Sequence, residues 1–63
     1  MVNLSQLIIS HPEVNSFAEL IGVVEAESRH GTVHLQFDVK PDYRDTPRNW
    51  EFILEGAFYR GQR

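Results

Sequence analysis

Any chemistry in this chain falls to histidine, arginine, tyrosine, hydroxyl and carboxylate side chains, because cysteine is absent. That removes a thiolate nucleophile, a thiolate metal site and any disulfide. His11, His30 and His34 are the histidines. His30 and His34 stand four residues apart, a spacing that joins two metal ligands on a helix. Here the run reads as a turn entering a strand, where that spacing loses its meaning, so no metal site and no cofactor are expected. His34 and Asp38 share one face of that strand but lie roughly 13 Å apart at ~3.3 Å per residue, too far to share a proton. Glu25 would meet His34 across a hairpin as a solvated pair, and no nucleophile or oxyanion donor accompanies them. The chain has no glycine-rich phosphate loop, nucleophile elbow or zinc motif. An enzyme is not expected.

Two stretches have the composition of binding surfaces. "KPDYRDTPRN" presents Tyr43, Arg44 and Arg48 just ahead of Trp50. Tyrosine, arginine and tryptophan dominate binding hot spots. Pairing of Arg44 and Arg48 with Asp42 and Asp45 would instead close the stretch on itself, leaving a mere connection. The tail "AFYRGQR" offers Phe58, Tyr59, Arg60 and Arg63, suited to base stacking with phosphate contact or to a protein interface.

The elements that would position these residues follow from periodicity. In "NLSQLIISHPE", Leu4, Leu7 and Ile8 recur at helical spacing, Asn3 or Ser5 can cap the start, and Pro12 ends the run. "NSFAELIGVVEAES" is ambiguous. Phe17, Leu20, Ile21 and Val24 fit a helix face behind a capping-box pattern. The β-branched cluster around Gly22, and "SRHGT" leading into another alternating run, favour a strand and hairpin from about residue 18. In that register Glu27 pairs with Thr32, Val24 faces Leu35 and Gly22 faces Phe37. "TVHLQFDVK" and "NWEFILEGAFYRG" then read as two further strands. The expected fold is α+β: a short N-terminal helix followed by a three-stranded antiparallel β-meander. Its core would hold Leu4, Leu7, Ile8, Leu20, Val24, Val33, Leu35, Phe37, Val39, Trp50, Phe52, Leu54 and Phe58.

Sixty-three residues make one small domain, and a chain this short buries only roughly 60% of the surface it exposes when unfolded. The apolar content of 41% is too high for a disordered chain. One short helix cannot cover a three-strand sheet, and the outer face would carry Ile21, Val23, Ile53, Ala57 and Tyr59, so completion by dimerisation is expected. No stretch approaches the ~20 apolar residues of a membrane span, and no basic leader opens the chain. A cytoplasmic protein without a membrane partner is expected. The net charge is −3, which does not favour nucleic acid. The first 39 residues carry Arg29 against five acids, while residues 40–63 are near neutral and bear most of the cations.

The run "LIGVVEA…GTVHLQFDV…YRD…NWEFILEG" is similar to the opening strands of single-stranded-DNA-binding OB-folds. There, a strand ending near Leu-Ile-Gly precedes one of F-x-V type, then a basic-aromatic loop and a strand ending in glycine. Residues 20–56 carry the likeness. It implies Arg44, Arg48, Trp50 and Tyr59 as nucleic-acid contacts. The two further strands of that fold have no counterpart here, and the acidic first 39 residues depart from it.

The leading expectation is a non-enzymatic protein–protein interaction module, either a homodimer or a small subunit docking on a larger protein. Its partner-binding residues would be Ile21, Val23, Tyr43, Arg44, Arg48, Trp50, Ile53, Tyr59 and Arg60. The alternative is an OB-like single-stranded nucleic-acid binder.

Overall fold

In the computed structural model, which describes residues 2–62, the chain forms β1 (Val2–Asn3), α1 (Leu4–Ser10), α2 (Phe17–Arg29), β2 (Leu35–Gln36) and α3 (Trp50–Gly61). The strands are parallel, with Val2 opposite Leu35 and Asn3 opposite Gln36. The three-stranded antiparallel meander is therefore corrected to a mostly helical fold with one two-strand parallel sheet.

α1 lies where the leucine spacing places a helix. Asn3 is its N-cap, and the Asn3 amide donates to Gln6 Oε1 at 3.2 Å. Leu4 and Leu7 are buried. The helix ends at Ser10, one residue before the His11–Pro12 pair, because a proline disfavours helical geometry at the residue ahead of it. His11 Nδ1 lies 2.9 Å from the Leu7 carbonyl, which it satisfies by donating its proton.

α2 replaces the expected first strand. Ser16 is its N-cap and accepts from the Glu19 amide at 3.1 Å. Asp45 adds a second cap from 28 residues away, accepting from the Phe17 amide at 2.6 Å and the Ala18 amide at 3.1 Å. Phe17, Leu20, Val24 and Ser28 form the buried stripe. The β-branched residues Ile21, Val23 and Val24 disfavour a helix by only tenths of a kcal/mol each, which capping and burial outweigh. The predicted turn "SRHGT" is instead the end of this helix. Gly31 has φ +105° and its amide donates to the Ser28 carbonyl at 3.2 Å. A glycine just past the last turn is a common helix stop. Thr32 does meet Glu27, but the contact closes the helix end: its hydroxyl donates to Glu27 Oε1 at 2.8 Å.

α3 replaces the expected last strand. Leu54, Ala57 and Gly61 are buried, with Trp50, Ile53 and Phe58 half-buried beside them. That is the i, i+3, i+4, i+7 stripe of a core-facing helix.

Residues 30–49 carry the chain from the C-terminal end of α2 back to its N-terminal end, where Asp45 docks. α3 then runs beside α2 and meets its end again. There Ser28 Oγ donates to the Phe58 carbonyl at 2.5 Å, and Arg60 pairs with Glu25 at 3.5 Å. The core comprises Leu4, Leu7, Phe17, Leu20, Val24, Leu54 and Ala57. Five of these match the expected core. Val33, Val39 and Phe52, assigned to it from the strand pattern, are exposed, Val33 at 68%.

The chain exposes 4402 Å². A folded monomer of 7.3 kDa exposes about 4,200 Å². One copy thus closes on itself to about the extent its mass allows. No helix is long and apolar enough to cross a membrane among the described residues.

Candidate functional site

The connection between α2 and α3 is pinned by its own acids. Asp38 accepts from both the Ser5 amide at 3.0 Å and the Ser5 hydroxyl at 2.6 Å, at the start of α1. Asp45 caps α2 as described. Between them Pro41 is fully buried, and Tyr43 and Thr46 close a small turn: the Tyr43 amide donates to Thr46 Oγ1 at 3.1 Å and the Thr46 amide to the Tyr43 carbonyl at 3.2 Å. The Ser5 hydroxyl and amide hold the Asp38 carboxyl below the usual aspartate range. The Phe17 and Ala18 amides do the same for Asp45. Burial, with the Glu19 carboxylate nearby, pushes the Tyr43 hydroxyl up.

These bonds separate the sequence-predicted site residues. Tyr43 and Trp50 are half-buried against the core, and Trp50 meets Phe37 edge to face at 5.9 Å. Ile21, Val23 and Ile53 also pack against the core. The sheet face they were expected to share does not exist, since 17–29 and 50–61 are helical. Arg44 and Arg48 are exposed. Among the described residues neither forms an ion pair, and Asp45 goes to the α2 amides instead. Arg60 is exposed and leans on Glu25, which also takes Arg29 at 3.1 Å. Glu25 is therefore engaged by arginines rather than by His34. Arg63 lies outside the described residues.

Tyr59 keeps an outward position, 74% exposed, and Phe52 joins it at 75%. The two are seven residues apart on α3, two helical turns, so they share one stripe pointing away from the core. On the flank facing β2 the stripe borders an open cleft of about 310 Å³ lined by Leu35, Phe37, Glu55, Phe58 and Tyr59. Its lining is apolar apart from Glu55 and the tyrosine hydroxyl. A shallower depression of about 490 Å³ lies where α2 and α3 end, lined by Ser28, Arg29, Gly31, Thr32, Val33, Gly61 and Gln62. Glu55 and Tyr59 are the titratable residues lining the first, and Arg29 is the one lining the second. Among the described residues no three histidine or carboxylate side chains are grouped to hold a metal ion.

Sequence reasoning missed Phe52, placed in the core, and the cleft residues Leu35, Phe37 and Glu55, while Phe58 was offered with the tail. The signal that finds Phe52 is the stripe Trp50, Ile53, Leu54, Ala57, Phe58 and Gly61, which leaves Phe52 and Tyr59 opposite it.

Comparison with protein-family models, curated proteins and solved structures found no match to this chain. The strand order implied by the likeness to OB-folds is not present, because residues 20–56 contain most of α2 and half of α3.

Proposed function

We propose that the protein is a non-enzymatic interaction module whose docking surface is the outward face of α3 and the cleft beside it. The observation that supports this reading is Tyr59, three-quarters exposed on the wall of an apolar cleft, with Phe52 equally exposed two helical turns away on the same stripe. Single exposed apolar residues are ordinary, whereas contiguous ones mark places where another molecule sits. Phe52 and Tyr59 do not hold the core together, so both rings are free to meet another molecule. The cleft offers shape and apolar contact, with Glu55 and the Tyr59 hydroxyl as its polar groups, which suits recognition. The cytoplasm is the proposed setting, tested by fractionating cells that express the chain.

A photo-cross-linking amino acid placed at position 52 or 59, with position 44 as a control on the pinned connection, tests the surface in expressing cells. Discrete adducts are expected from positions 52 and 59 and not from 44. Adducts absent from both α3 positions, or equally strong from position 44, would refute the assignment.

A further inference from the structure

Resting on that docking reading, we infer that the cleft between β2 and α3 binds a methylated lysine side chain carried by an extended segment of a partner protein. Glu55, Phe58 and Tyr59 stand three and four residues apart and so share one flank of α3. Leu35 and Phe37, two residues apart, share one face of the β2 segment. Together they line the cleft of about 310 Å³, at the lower end of the roughly 300–1,000 Å³ of small-ligand pockets. That space takes the head of one side chain rather than the surface of a domain.

The lining says what kind of head. Phe37, Phe58 and Tyr59 are aromatic and Glu55 is a carboxylate. Phe37 is steadied by its edge-to-face contact with Trp50. Aromatic faces attract cations through the ring quadrupole. Among the described residues Glu55 forms no ion pair, while Arg60 leans on Glu25. Glu51, one helical turn earlier on α3, adds a second negative charge. The cleft therefore suits a positive group. A bare ammonium is strongly hydrated, and the lining side chains offer only Glu55 and the Tyr59 hydroxyl in place of that water. Methylation keeps the charge of a lysine and surrounds it with apolar surface, which meets the rings and the carboxylate at once.

The source of the cation follows from β2. Consecutive residues of a strand turn their amides and carbonyls to opposite edges. The Val2 amide donates to the His34 carbonyl at 3.2 Å, so the parallel pairing uses the edge of His34 and Gln36. The amides and carbonyls of Leu35 and Phe37 face the other way and have no partner among the described residues. The open edge thus belongs to the two β2 residues that line the cleft. A peptide added along it gains main-chain hydrogen bonds and sets alternate side chains on the face of Leu35 and Phe37. A free quaternary ammonium compound gains none of these bonds.

Titrations of the isotope-labelled chain, followed by nuclear magnetic resonance, test the proposal. Peptides of one extended sequence carry at their centre trimethyllysine, unmodified lysine, or a neutral isostere with a tert-butyl head. Tetramethylammonium chloride is the fourth probe. The trimethyllysine peptide is expected to bind with a dissociation constant on the order of 1 mM and to shift the amides of Leu35, Phe37 and Tyr59. The other two peptides should bind about fivefold more weakly. Tetramethylammonium should bind about tenfold more weakly, for the loss of one or two backbone hydrogen bonds. Tyr59→Leu keeps the bulk and removes the ring, and should weaken the trimethyllysine peptide about threefold. Glu55→Gln should weaken it about twofold to fivefold.

A tert-butyl or unmodified lysine peptide as tight as the methylated one, or a methylated peptide indifferent to Tyr59→Leu, would overturn the assignment. Tetramethylammonium as tight as the peptide would overturn the protein source and give the cleft to a free quaternary ammonium compound. Silence from all four probes up to about 10 mM, with adducts still formed from positions 52 and 59 in cells, would remove the methylated lysine and keep the docking surface. Silence together with absent adducts would remove both.

Discussion

Gly61 is buried where α3 meets α2, and its replacement by alanine tests the helix pair directly. By helix propensity alone, alanine is better than glycine by up to ~1 kcal/mol. The contact geometry opposes this. A Cβ on Gly61 would fall inside van der Waals distance of the Glu25 carbonyl oxygen and 2.7 Å from Ser28 Cβ. One obstruction is backbone and the other sits on it, so neither swings aside. Forcing an extra carbon into a packed contact costs about 1–3 kcal/mol. Moving the helices apart instead stretches the bond from Ser28 Oγ to the Phe58 carbonyl, worth ~1 kcal/mol. The net expectation for Gly61→Ala is a loss of about 1–3 kcal/mol.

A domain of this length has roughly 3–9 kcal/mol of stability in total. The melting temperature should therefore fall by about 5–20 °C. The assay is urea and thermal unfolding at low micromolar concentration, followed by Trp50 fluorescence and far-ultraviolet circular dichroism. Gly56→Ala is the matched control, since a Cβ there makes only an ordinary contact with the end of the Arg60 side chain. It should stabilise by about 0.5–1 kcal/mol. If Gly61→Ala proves as stable as Gly56→Ala, the close approach of α2 and α3 at Gly61 is refuted.

Two further perturbations separate helix from strand and test the pinned connection. A Cβ on Gly22 meets nothing within 4 Å, so Gly22→Ala should raise stability by about 0.5–1 kcal/mol. A strand at that position, with the Phe37 ring lying over the glycine, would give a loss instead, measured by urea midpoint. For Asp38 and Asp45 the folded carboxyls titrate lower than unfolded ones. Their contribution is present above about pH 4 and is lost as pH falls through the folded values. Asp45→Asn should be less stable than the parent at pH 7, with the gap narrowing as pH falls below 4 in a series of melts. A gap of constant size across that range would show that the charge on Asp45 does nothing for α2.

What the sequence disclosed depended on how far each signal reaches. α1 was legible because its leucines, its cap and Pro12 lie within ten residues. The second helix was half-legible: Ser16, Glu19 and the stripe from Phe17 to Val24 all announce it. The glycine of "SRHGT" counted for a hairpin, although the same residue type, at positive φ, ends helices equally well. The last element was misread for a different reason. "NWEFILEGAFYR" alternates for several residues, and Trp50, Phe52 and Leu54 satisfy a period of two over that short window. Only the longer window to Gly61 restores the period of 3.6, and it moves Phe52 from the core to the surface. The site followed the fold: with Phe52 turned outward, the surface moves from a sheet face to a helix face, and only Tyr59 is common to the aromatic stripes of both.

The stretch 40–49 shows why a local reading of charge fails in a chain this small. Asp42 and Asp45 stand beside Arg44 and Arg48, and proximity in sequence makes ion pairs the obvious partners. An exposed pair of that kind contributes little, because water competes for both charges and two long side chains must be held still. The start of a helix offers something better: several amides in a fixed array that have no partner within the helix, reinforced by the helix dipole. Asp45 takes two such amides on α2, and Asp38 takes the Ser5 amide and hydroxyl on α1. Each carboxylate thereby ties a connection without regular structure to a helix 28 or 33 residues earlier in the chain. In a domain whose core is seven side chains, these two clasps fix where the connection ends and therefore where α3 begins. Arg44 and Arg48 are left exposed by that outcome, which explains their solvation without assigning them a ligand.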